Sequence, residues 1–157
     1  MRVRPREPAD RDAVDEFLTA RHSQRVARLG ELLHPLDHPA LVAEGDGRLA
    51  GVLTYVVSES DCEVLTFHVA RQWRGVGSAL LERVETVAGE AGCRRLWVIT
   101  TNDNVDALRF YQRRGFRLAK LHAGAVTVSR ERLKPEIPKT GEYDIPLRDE
   151  LELEKEI

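Results

Sequence analysis

A chain of 157 residues suits one domain with a substantial core. Apolar residues at 42% and charged residues at 32% describe a globular balance, and a formal net charge of −2 argues against broad attraction to nucleic acid or an anionic membrane. No apolar run is long enough to span a bilayer, and the basic opening Met1-Arg2-Val3-Arg4-Pro5-Arg6 is not followed by the apolar stretch of a secretion signal.

In chain order, the first expected element is a short strand at 2–4. Asp10 is placed to cap a helix whose apolar face is Val14, Phe17 and Leu18. A second helix is expected from about His22 to Leu33, ended by Pro35 and Pro39. His34 and His38 have ligand-like spacing, but Pro35 between them makes them loop residues. Ala40 to Ala43 and Leu49 to Val57 flank the turn Glu44-Gly45-Asp46-Gly47 as a hairpin. Cys62 to Val69 reads as the next strand, with Leu65, Phe67 and Val69 on one apolar face. The first four strands are therefore expected to be mostly antiparallel.

The period then changes. Leu81, Val84, Ala88 and Ala91 recur at helical spacing from Ser78 onward, and Gly92 stops that helix. Arg95 to Thr101 carries the apolar run of a strand covered on both faces. Asn102, Asp103 or Asn104 caps a helix from Val105 to Arg114, which Gly115 ends; Phe116 to Leu121 is a further strand. A connection over 123–143 is too long for an ordinary turn, and Arg130, Arg132, Lys134, Glu136 and Tyr143 there either recognise a substrate or form a solvated charge cluster. Ile145, Leu147, Leu151 and Leu153 alternate as a last strand that Asp149 interrupts. The order β-α-α-β-β-β-α-β-α-β-β describes a single mixed α/β (α+β) domain over 1–157, a mostly antiparallel central sheet flanked by helices.

Cys62 and Cys93 stand near apolar runs and read as reduced, buried thiols in a cytoplasmic protein. With no CxxC pair, no metal site is expected.

A strand that runs through Gly75-Val76-Gly77 directly into a helix has a physical use. The helix start leaves backbone N–H groups without partners and carries partial positive charge, and glycines let a phosphate approach. Arg71 and Arg74 add charge beside it. The same pattern also serves as a plain tight turn. A dinucleotide fold would want a third glycine where Leu80 stands, and an ATP-type loop would want Lys-Ser or Lys-Thr where Ser78-Ala79 follow.

At this point the chain resembles the GNAT superfamily of acyl-CoA-dependent N-acetyltransferases, whose signature is Gln/Arg-x-x-Gly-x-Gly/Ala. It fits as Gln72-x-x-Gly75-x-Gly77 or as Arg74-x-x-Gly77-x-Ala79. The first register puts Leu80 and Leu81 on the buried helix face. The second would bury Glu82 and Arg83, so the first is preferred. The segment Asn104-Val105-Asp106-Ala107-Leu108-Arg109-Phe110-Tyr111-Gln112-Arg113-Arg114-Gly115-Phe116 is similar to the family's Asn-x-x-Ala-x-x-Phe-Tyr-x-x-x-Gly-Phe motif.

The resemblance implies an enzyme that uses acetyl-CoA and an amine acceptor, with direct transfer in a ternary complex and a site built from specific residues. Gln72, Trp73, Arg74, Gly75, Val76, Gly77 and Ser78 would hold the pyrophosphate, and the strand backbone at Leu65, Phe67 and Val69 the pantetheine arm. Asn104, as cofactor ligand or as helix cap, and Ala107 would lie near the cofactor. Tyr111 would be general acid, because a tyrosine remains a proton donor at neutral pH, or a core aromatic. Glu63 is the first candidate base, ahead of Asp61 and His68; Thr100, Thr101 and Asn102 would position an acceptor or cap the following helix. A non-catalytic acyl-CoA sensor on the same fold, another acyl donor, an oxygen acceptor and a homodimer all stay open.

Overall fold

The computed structural model describes residues 1–70 and 75–157. In chain order the elements are β1 (Arg2–Pro5), α1 (Arg11–Thr19), β2 (Val26–Arg28), β3 (Glu31–Leu33), β4 (Ala40–Gly45), β5 (Arg48–Ser58), β6 (Asp61–Val69), α2 (Val76–Glu90), β7 (Arg95–Thr101), α3 (Val105–Arg113), β8 (Arg117–His122), α4 (Ala125–Arg132) and β9 (Glu150–Glu156). The architecture is mixed α/β, and its strand pairs are predominantly antiparallel. Packing divides the chain into two compact units, Met1–Val26 and His34–Leu96 with Ile157 in one, Ala27–Leu33 and Trp97–Glu156 in the other.

In the first unit the strands run in the order β1-β4-β5-β6, each antiparallel to its neighbour. Val14, Phe17 and Leu18 of α1 pack with Val42 and Val52, as the spacing of those apolar residues requires. Asp10 precedes α1, but its side chain caps no α1 amide. Its carboxylate instead accepts from the two terminal guanidinium nitrogens of Arg4 at 2.7 and 2.9 Å and from the Glu7 N–H at 2.7 Å. α2 covers the opposite face of the sheet: a Cβ on Gly51 would meet Leu80 Cδ1 at 2.8 Å and Val76 Cγ1 at 3.2 Å.

The alternation expected along β6 is broken. Thr54 pairs with Thr66, but Tyr55 pairs with Val64, so Leu65 is an extra, bulged residue. Phe67 and Val69 therefore share their face with Val64 and Cys62, not with an in-line Leu65. Glu63, Thr66 and His68, opposite Val56, Thr54 and Val52, come to lie on the α1 face.

In the second unit β9 lies between β7 and β8. The helix expected over 22–33 is instead the ribbon β2-β3. Val26, Leu29 and Leu32-Leu33 mimic helical spacing, but Leu29 and Gly30 have φ of 49° and 76°, the two left-handed residues of a tight hairpin turn. The Leu29 N–H is accepted by the buried Glu150 carboxylate at 3.0 Å. The 123–143 connection holds α4, and Asp149 precedes the last strand instead of interrupting it. Arg130 donates to the carbonyls of Ile137, Pro138 and Leu147 at 3.0, 2.9 and 2.6 Å.

Among the described residues, no helix is long and apolar enough to cross a membrane, and no three metal-ligating side chains gather.

Candidate acetyl-CoA site

Gly75 sets the geometry of the turn before α2. It is the residue before the first helical turn, with φ 89° and ψ −11°, in the left-handed region that L side chains rarely adopt. Its carbonyl accepts the Ala79 N–H at 2.8 Å, so the helical ladder starts here. Val76, Gly77 and Ser78 form the first turn, with no acidic residue among them and no side-chain cap from Gly75. The partial positive charge of the helix start is therefore not offset by its own first turn. Leu80 and Leu81 are buried, and Glu82 and Arg83 are exposed. Gln72, Trp73 and Arg74, read as part of the same turn, lie outside the described residues.

On β6, Leu65 is buried, while Phe67 and Val69 are half-buried. Glu63 is buried at 3% exposure on the α1 face. On the same face Thr54 and Thr66 share a hydroxyl–hydroxyl bond of 2.6 Å, and the Thr66 N–H donates to Thr54 Oγ1 at 3.1 Å. His68 Nε2 lies 2.8 Å from Ser23 Oγ; Ser23 is a partner that no local motif announced. Burial, with Arg21 adding to it, pulls the His68 imidazole down to about 4, so it is neutral at ordinary pH.

In the second unit, Asn104 caps α3 by accepting the Ala107 N–H at 3.2 Å. Tyr111 is the buried member of the adjacent aromatic pair. It meets Phe110 edge-on at 5.5 Å and Phe116 at 5.2 Å, while the Arg114 guanidinium stacks on Phe110 at 3.6 Å. Burial pushes the Tyr111 phenol upward, which keeps its proton on.

Asn102, read as an acceptor-positioning residue or helix cap, does not cap α3, a place Asn104 takes, and it pins the chain before β9. Its Oδ1 accepts the N–H groups of Arg148 and Asp149 at 3.0 and 2.9 Å, and its Nδ2 donates to the Pro146 carbonyl at 2.8 Å. Thr101 Oγ1 donates to Asp103 at 2.5 Å, and Asp103 also accepts the Glu142 N–H at 2.9 Å. The partners of Asn102, and the Glu142 N–H on Asp103, lie some forty residues away, so no local pattern announced them.

The profile of the acetyltransferase (GNAT) family matches residues 7–116. The chain belongs to the acetyltransferase (GNAT) family. Among its relatives, the Bacillus subtilis protein YdhI is 44% identical over 122 residues, which cover 78% of this chain and 75% of that protein. Among solved structures, an IAA acetyltransferase from Bacillus cereus superposes with a TM-score of 0.75 at 22% identity, over 99% of this chain and all of the other. A Bacillus subtilis acetyltransferase solved in complex with CoA superposes with a TM-score of 0.72 at 18% identity, over 99% of this chain and 98% of that one. The fold expectation is met, and the chain is an acyltransferase by family.

Proposed function

We propose that the protein transfers an acetyl group from acetyl-CoA to an amine, by direct transfer while both are bound. The observation that carries this reading is the start of α2. A left-handed Gly75 leads into a first turn without acidic residues, in a member of a family whose solved neighbours include a CoA complex.

The residues fit the cosubstrate. A diphosphate is an anion, and the N–H groups of Val76, Gly77 and Ser78 at a helix start would receive it. Gln72, Trp73 and Arg74 would complete that cradle. The β6 backbone at Leu65, Phe67 and Val69 would pair with the pantetheine arm. Asn104 would use its carboxamide nitrogen toward the cofactor while its oxygen holds the Ala107 N–H, so cap and ligand are one residue. Acetyl-CoA supplies an activated acyl group as a thioester.

Two proton movements remain for this chain. Glu63 would draw the proton from the amine. The bulge at Leu65 supports that role, since it turns Glu63 and Thr66, three residues apart, to one face of β6. Tyr111 would return a proton to the departing thiolate, and a phenol held protonated by burial suits a donor. The Tyr111 role rests on the motif 104–116. Two free, buried cysteines suit a reducing, cytoplasmic compartment.

The test is a panel of amines, peptides and aminoglycosides incubated with acetyl-CoA, read by thiol release and by the mass of the product. Amine-dependent release with an acetylated amine supports the reading. Saturable acetyl-CoA binding with no release across the panel supports a sensor instead.

A further inference from the structure

His68 is unusual for its position. It sits between Phe67 and Val69 near the end of β6, and its side chain enters the α1 face opposite Val52, a member of the apolar cluster with Val14, Phe17 and Leu18. A polar ring among aliphatic groups must find a partner there. It finds Ser23 at 2.8 Å, in the loop that follows α1.

That loop is wound tightly. The N–H groups of Arg21 and Ser23 both donate to the Leu18 carbonyl, at 3.0 and 2.9 Å, and His22 adopts a left-handed φ of 56°. The Arg21 guanidinium stacks on Phe17 at 3.6 Å and donates to its carbonyl at 2.9 Å. Ser23 Oγ thus reaches from the loop to β6. The next two residues, Gln24 and Arg25, line a surface hollow of about 420 Å³ with Arg11, Asp15, His34 and Asp37.

α2 and Gly75 belong to the other face of the same sheet. If the cofactor occupies that face and the β6 backbone, the α1 face is the one left for the second substrate. We propose that His68 is a positioning residue: through Ser23 it ties the loop after α1, and the hollow lined by Gln24 and Arg25, to the strand that carries the cofactor arm, so that acetyl-CoA binding orders the acceptor side. This rests on the reading of β6 as the cofactor strand. The neutral imidazole keeps the tie intact across ordinary pH; Arg21, in the loop after α1, is the charged group that acts on it, and Glu63 is the carboxylate on the same face of β6.

Hydrogen exchange of the amides at 22–25, with and without acetyl-CoA, tests the coupling. In the native protein acetyl-CoA slows these amides about fivefold, the effect of firming one hydrogen bond. Ser23→Ala binds acetyl-CoA as the native protein does but shows no slowing. His68→Leu loses the slowing also, and His68→Gln recovers part of it. Slowing that survives in Ser23→Ala and His68→Leu overturns the proposal, as does native binding without any slowing. Absence of acetyl-CoA binding by the native protein refutes the cofactor reading and the coupling together, so the two failures are told apart.

Discussion

Gly75→Ala isolates backbone conformation from every other property of the turn. Among the described residues nothing lies within 4 Å of the Cβ it would add, so none of them clashes with it. The whole effect comes from holding alanine at φ 89°, which costs about 1–2 kcal/mol. That energy appears in one of two places. If the turn stays left-handed without ligand, folding stability falls by about 1–2 kcal/mol and affinity holds. If the turn relaxes when empty, stability holds and acetyl-CoA binds about five- to thirtyfold more weakly. Urea denaturation and calorimetric titration of the same preparations read both quantities, and their sum should match the strain. Gly75→Asn should lose less, because asparagine tolerates the left-handed region better. Unchanged stability together with unchanged affinity in Gly75→Ala would refute the argument that this conformation belongs to the binding state.

Tyr111→Phe should lower kcat by about a hundredfold or more and leave acetyl-CoA affinity within about threefold; an unchanged kcat removes Tyr111 from the proton transfer. Asn102→Ala deletes three side-chain hydrogen bonds to 146–149 and should cost about 1–2 kcal/mol in urea denaturation, and a loss below about 0.5 kcal/mol contradicts the pinning role. The Arg4 guanidinium first, and the Glu7 N–H second, hold the Asp10 carboxyl down from 3.8 to about 2. A depressed acid stabilises the fold above its unfolded pKa and loses that contribution as pH falls through the folded one. The stability gap between native protein and Arg4→Met should therefore be full above about pH 4 and shrink toward pH 2. A gap that does not change with pH over this window would contradict the ion pair.

Much of the fold was legible because local signals agreed with tertiary packing. Val14, Phe17 and Leu18 recur at helical spacing and are buried together, and the apolar pair Leu80-Leu81 after the glycine turn is buried where the helix needs it. The ribbon at 26–33 was missed because its apolar spacing imitates a helix and the deciding feature is two left-handed residues, one of them a leucine. α4 was missed because its apolar and polar residues do not separate cleanly onto two faces. The bulge at Leu65 leaves no mark in composition, yet it decides which side chains of β6 share a face with Glu63. Pairs such as Ser23 with His68, or Asn102 with 146–149, depend on distant segments meeting and have no local signature. The Asn104–Phe116 motif carried more of the candidate site than any single residue, because its types recur at fixed spacing; the burial of Tyr111 was visible only in three dimensions.

On this reading the glycine turn before α2 is what makes the chain an acetyl-CoA protein. Calorimetric titration of the native protein with acetyl-CoA, beside Gly75→Glu, tests it most directly. The native chain should show saturable one-site binding, and that binding should be nearly lost when a carboxylate replaces Gly75 at the phosphate cradle. No saturable binding by the native chain, or equal binding by Gly75→Glu, would contradict it.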